Sequence, residues 1–340
     1  TYNVKSGANY GTVTVASSGT YNAALSISAN TPSATGYGFA ISNIKVYSGT
    51  STSGTLLKTI NAATGTFKMS DLNAYHTDVY VYATWTRTAK TYNVKSGANY
   101  GTVTVASTGT YDAALSITAN TPSATGYGFT ISNIKVYSGT STSGTLLKTY
   151  TSASASFKMS DLKAYHTDVY VYATWTRTAN SYTVKTGANY GTVTAASTGN
   201  YSTALSITAN TPSATGYSFA ISNIKVYSGT STSGTLLKTI NAKTGTFTMS
   251  DVGSYYSSVY VYATWTCTPV SYTISYNLNG GSVTGNPTSY TIETATFTLK
   301  NPTKTGYTFA GWTGSNGTTA QTTVTITKGS TGNKSYTANW

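Results

Sequence analysis

The chain has 340 residues, of which only 8% are charged: 20 are basic and seven acidic, for a net charge of +13. So few carboxylates, widely spread, exclude calcium sites, which gather several on one ion, and leave no convincing pair for glycoside hydrolysis. Thirty-one Tyr and five Trp exclude a disordered chain despite its Ser, Thr and Gly content, and the basic residues stand singly rather than in the cluster that marks a nucleic-acid binder.

The dominant pattern is a 90-residue period written three times. Near-copies span 1–90, 91–180 and 181–270; SGANYGTVT starts at Ser6 and Ser96, and ISNIKVYSGTSTSGTLLKT at Ile41, Ile131 and Ile221. A fixed period of this size makes each copy one folding unit. Residues 271–340 form a fourth, shorter unit. Tyr2, Gly11, Pro32, Gly36, Tyr37 and Phe39 line up with Tyr272, Gly281, Pro302, Gly306, Tyr307 and Phe309 at a constant offset, and Ala83-Thr84-Trp85 with Ala338-Asn339-Trp340 at an offset 15 residues smaller. The long repeats therefore carry an insertion, which falls within Lys45–Asp78.

In chain order, Tyr2–Val4 and Thr12–Val15 read as strands joined by the Ser6–Tyr10 turn in a hairpin. Leu25, Ile27 and Ala29 alternate in a third strand, stopped at Pro32. Tyr37, Phe39 and Ile41 alternate in a fourth, and the apolar phase then shifts at Ser42-Asn43, the mark of a bulge. Gly49–Gly54 is a polar tip. Leu56-Leu57 and Phe67–Met69 mark two more strands. Ser70-Asp71 is placed to cap a single helical turn. Val79, Val81, Ala83 and Trp85 alternate with Tyr80, Tyr82 and Thr84 in the clearest strand. Thr86–Lys90 reads as a short linker. No stretch keeps a helical period, so the fold is all-β: tandem small modules, β-grasp-like or sandwich-like, in an elongated array. Tyr37, Phe39 and Trp85 are read as core.

The fourth unit carries motifs that identify it further. Tyr276, Asn279-Gly280-Gly281, Pro302, Gly306-Tyr307, Phe309, Gly311-Trp312 and Ala338–Trp340 follow one another in the order of the internalin B-repeat, or Listeria–Bacteroides repeat, and 271–340 resembles that family throughout. The long repeats resemble divergent members, keeping P-x-x-x-G-Y-x-F and A-x-W and losing N-G-G and G-W. The resemblance implies β-grasp-like modules in secreted or wall-attached bacterial proteins, with roles in adhesion and spacing and with no cofactor or catalytic residue. The chain reads as a segment of such a larger protein, monomeric, lying outside the cell.

No catalytic set emerges. Cys267 is alone, so there is no disulfide framework. His76 and His166 share one repeat position that is Tyr256 in the third copy, and one His per unit builds neither a zinc site nor a triad. The chain is read as non-enzymatic, with no metal or cofactor and no membrane span. The candidate ligand-binding residues are Tyr75, His76, Tyr80 and Tyr82, with Tyr165, His166, Tyr170 and Tyr172, and with Tyr255, Tyr260 and Tyr262, beside the Ser48–Gly54 tip. Tyr faces ringed by Asn and Thr suit sugars, so surface glycans are the favoured partners, with a matrix protein or an anionic wall polymer beside them. Lys45, Lys58, Asn43 and Asp71 also recur together, the residue types of a spontaneous Lys–Asn or Lys–Asp amide crosslink. The insertion is placed either to cover the Tyr80/Tyr82 face or to leave it as an exposed aromatic strip.

Overall fold

The computed structural model describes residues 1–340 and is all-β, with only single turns of 3-10 helix. Two compact units divide the chain: Thr1–Ser123 with Phe129–Arg177, and Ala124–Gly128 with Thr178–Trp340.

In the first long repeat the strands are β1 (Tyr2–Ala8), β2 (Thr12–Val15), β3 (Ser18–Gly19), β4 (Leu25–Asn30), β5 (Tyr37–Ser48), β6 (Leu56–Ile60), β7 (Thr64–Phe67) and β8 (Asp78–Ala89). They form a five-stranded sheet, β3-β1-β8-β5-β6, and a three-stranded sheet, β2-β4-β7. β1 and β8 run parallel at the centre, from Asn3 opposite Asp78 to Ala8 opposite Ala83; β5 pairs with β8 antiparallel from Tyr37–Ala89 to Ser48–Val79. This mixed order around a parallel central pair is that of a β-grasp sheet, with the small antiparallel sheet lying where a helix would cross it.

The two sheets share one core. Tyr2 and Val4 of β1, Leu25, Ile27 and Ala29 of β4, Ile44 and Val46 of β5, Phe67, and Val79, Val81, Ala83 and Trp85 of β8 are all buried together. Burial follows the period-2 alternation of strands that present one face to a partner sheet. The phase shift in β5 is a bulge between Ile41 and Asn43, which returns Ile44 and Val46 to the core side. The second and third repeats repeat this architecture.

The fourth unit keeps the five-strand order with strands Tyr272–Asn277, Ser289–Tyr290, Gly311–Gly314, Gly317–Gln321 and Lys334–Asn339, beside a two-stranded pair. Its core centres on fully buried Trp312, ringed by Tyr276, Phe309 and Tyr336. Trp312 stands opposite Ala338, as Ile44 stands opposite Ala83. Thus Ile44 occupies the place of the lost tryptophan.

Four sequence expectations are corrected. β1 and β2 form no hairpin: they enter different sheets, because β1 takes β8 and β3 as partners and β2 takes β4. Asp71 caps nothing; it lies inside the 3-10 turn Met69–Asp71, preceded by Lys68, which makes no side-chain cap. Thr86–Ala89 is not linker but the end of β8, so only Lys90 separates it from β9 (Thr91–Ala98). Tyr37 and Phe39 are only half-buried: Phe39 packs against Tyr10 at 5.5 Å, whereas Tyr37 belongs to a junction described below. Trp85 is core as expected.

Candidate functional site

Two features recur besides the shared core: a junction at its edge, where Tyr111 and Tyr201 join the buried clusters of their repeats, and a sheet face. Within the first unit, the Gly36-Tyr37 turn receives Tyr111 of the following repeat. Gly36 has φ +79°, and a Cβ there would sit 2.3 Å from the Tyr111 ring, so only glycine leaves room. The Tyr37 and Tyr111 rings meet edge to face at 5.4 Å, and Tyr37 Oη donates to Asp112 Oδ2 at 2.5 Å. The Lys90 amide donates to the Gly36 carbonyl, and the Lys90 carbonyl accepts from the Tyr111 amide, both at 2.9 Å. Arg87 lies over the Tyr37 ring at 4.3 Å. Tyr111 is 5% exposed, while Tyr21, its counterpart in the first repeat, is 42% exposed. Burying a tyrosine ring in this way contributes about 2–3 kcal/mol.

The second unit contains the same device twice. Tyr201 fills the space beside Gly126 and meets Tyr127 at 5.3 Å. Ile292 lies against Gly216, and Tyr217 Oη donates to Glu293 at 3.1 Å. At Gly306 (φ +80°) nothing lies within 4 Å of an added Cβ, and Tyr307 is 61% exposed with Lys304 over its ring at 4.1 Å.

The residues expected to bind divide between two places. Tyr80 and Tyr82 point away from the core, half-buried, with rings stacked at 6.1 Å. Tyr170 with Tyr172 and Tyr260 with Tyr262 repeat the pair at 6.2 and 6.1 Å. The insertion does not bury them. Gly7 permits the arrangement, since a Cβ there would meet the Tyr80 hydroxyl at 2.2 Å. Tyr75 and His76 instead precede β8. Tyr75, 50% exposed, donates its hydroxyl to the Thr1 carbonyl, as Tyr165 does to Thr91 and Tyr255 to Ser181. His76 is half-buried and lines a pocket of about 210 Å³ with Gly49, Tyr75, Thr77 and Asp78. His166 donates its backbone amide to Met159 Sδ. The Ser48–Gly54 tip closes on itself, with Ser48 Oγ accepting from the Thr55 amide and Ser51 bonded to Ser53.

Register adds residues that the sequence reading did not assign to the site. Lys5 stands beside Tyr80 on β1, and on β5 Tyr47 stands beside Tyr80 and Lys45 beside Tyr82. The face therefore carries three tyrosines and two lysines on adjacent strands. The parity of β5 beyond its bulge was the available signal. Lys45 is thus a surface group here, and Asp71, the acid an amide crosslink would use, is exposed. A groove of about 790 Å³ beside β2–β4 is lined by residues such as Thr14, Ala16, Leu25 and Ser26, with no titratable side chain.

Residues 272–338 match the Listeria–Bacteroides repeat domain. No curated protein matches the chain.

Proposed function

We propose that the chain is a non-catalytic repeat region of a bacterial cell-surface protein, acting outside the cell as an adhesin stalk or spacer. The observation that carries this reading is the junction: one residue separates β8 from β9, and a buried tyrosine with a charge-assisted hydrogen bond holds the two repeats together. Such a junction restrains bending, which a stalk requires and an isolated binding domain does not. No helix is long and apolar enough to cross a membrane. Deletion of 91–180 from the 340-residue chain is expected to shorten its largest dimension in X-ray scattering. An unchanged dimension would sink the spacer reading.

A second reading, multivalent binding of surface glycans, a matrix protein or wall polymer, is favoured by the Tyr/Lys face. It is compatible with the first, since a stalk with three such faces presents three linked weak sites.

A further inference from the structure

We propose that the outer face of the five-stranded sheet in each long repeat binds an acidic polysaccharide of pyranose rings. Tyr47, Tyr80 and Tyr82 stack on the sugar rings, and Lys5 and Lys45 hold the carboxylates. The proposal rests on the second reading above and gives its ligand a chemical class.

The fourth unit supplies an internal comparison. By strand register, Lys5, Lys45, Tyr47, Tyr80 and Tyr82 correspond to Ser275, Thr313, Ser315, Ser335 and Thr337. The same sheet thus folds with hydroxyl side chains at all five positions. Neither the rings nor the charges are needed to build it, and their presence in the long repeats calls for another cause.

Three properties define the ligand. The stacked pair leaves the rings half-exposed on an open sheet face, a platform that suits flat apolar faces edged by hydroxyls. The two lysines sit diagonally across it, on β1 beside Tyr80 and on β5 beside Tyr82. The nearest acid, Asp78, adjoins Tyr80 on the same side of β8, where its carboxylate accepts from Asn3 Nδ2 and Thr77 Oγ1 at 3.0 Å; it leaves the two lysines in excess and is Ser258 in the third repeat. Charge complementarity therefore selects an anion. A polymer is selected because three equivalent faces recur along one chain, where linked sites multiply weak affinities. Single-stranded nucleic acid also stacks on aromatic rings, but its binders line a groove with many cations, and each face here offers two.

The test uses the full 340-residue chain and four probes: polygalacturonate, its methyl-esterified form, inorganic polyphosphate and a single-stranded oligonucleotide. Polygalacturonate is expected to bind at least about tenfold more tightly than the other three, with an affinity that falls as salt rises. Replacing Tyr80 by Ser and Tyr82 by Thr, with the equivalent changes in the other two long repeats, is expected to abolish binding while the circular-dichroism spectrum remains that of a β protein. Should that variant fail to fold, Lys5→Gln with Lys45→Gln at all three faces is expected to remove the preference for the free acid. Equal binding of the methyl ester, or tighter binding of polyphosphate or DNA, overturns the acidic-polysaccharide class but leaves a binding face. Silence with all four probes overturns both the class and the binding reading.

Discussion

Tyr37 of the first repeat donates its phenolic hydrogen to Asp112 of the second at 2.5 Å, across a junction in which the Tyr111 ring covers Gly36. Asp112 is exposed, and Tyr37 is half-buried, packed against the core of the second repeat. The bond exists only because a single residue joins the two repeats.

Tyr111→Ala is expected to destabilise the chain by about 3 kcal/mol, the usual cost of emptying an aromatic site. The equivalent Tyr21→Ala, at an exposed ring, is expected to cost less than about 1 kcal/mol. Denaturant unfolding of the two variants compares them directly, and equal losses would mean that Tyr111 acts only within its own repeat.

The junction is expected to weaken in alkali. The hydrogen bond to Asp112, then desolvation, raises the Tyr37 pKa above its usual 10.0, and the Glu293 bond does the same for Tyr217. A phenol with a raised folded pKa contributes stability that is whole below the unfolded value and is lost as pH climbs through the folded one. Hydrogen exchange at Lys90 and Tyr111 is therefore expected to be unchanged up to about pH 10, after correction for the intrinsic rate, and to accelerate beyond it. In the fourth unit burial pushes Tyr276 up to about 12, so its tyrosinate absorbance is expected to develop last or with unfolding.

Tyr92→Phe is expected to leave the melting temperature unchanged or raise it. The Tyr92 hydroxyl is buried without a hydrogen-bond partner, as are those of Tyr2 and Tyr182, and an unpaired buried hydroxyl costs about 1–3 kcal/mol. A clear loss of stability on removing it would reveal a partner such as a bound water.

Gly7→Ala is expected to turn the Tyr80 ring without unfolding the repeat. The new methyl meets the far end of a side chain that is free to move outward, so the cost is expected to stay within about 1 kcal/mol. Near-ultraviolet circular dichroism checks the ring, and a collapse of the far-ultraviolet spectrum would contradict the expectation.

What the sequence showed and what it hid divide by distance along the chain. The alternation of Val79, Val81, Ala83 and Trp85 against Tyr80 and Tyr82 is local, so the strand and its two faces were legible. So was the bulge at Ser42-Asn43, because a change of apolar phase is written within a few residues. The sequence suggests a β1–β2 hairpin, whereas the true partner of β1 lies some 75 residues away and runs parallel, which no turn signal announces. Tyr37 reads as core in the sequence because its motif is shared by every unit; the shared element is the junction, whose other half lies in the next period. The same blindness divided the candidate site. Tyr75 and His76 are close to Tyr80 in sequence yet stand before the strand, while Lys5, Lys45 and Tyr47 reach the face only through pairing.

The junction has a polarity. Each long repeat offers a glycine-tyrosine socket to the unit that follows it, and the plug is Tyr111 of the second repeat, Tyr201 of the third or the quite different Ile292 of the fourth unit. The socket thus tolerates a change of tenant from an aromatic to an aliphatic side chain, with Asp112 or Glu293 answering the tyrosine hydroxyl alongside. Inserting or excising one whole period leaves every remaining socket facing a compatible plug. The array can therefore change length by simple genetic duplication without any new interface having to evolve.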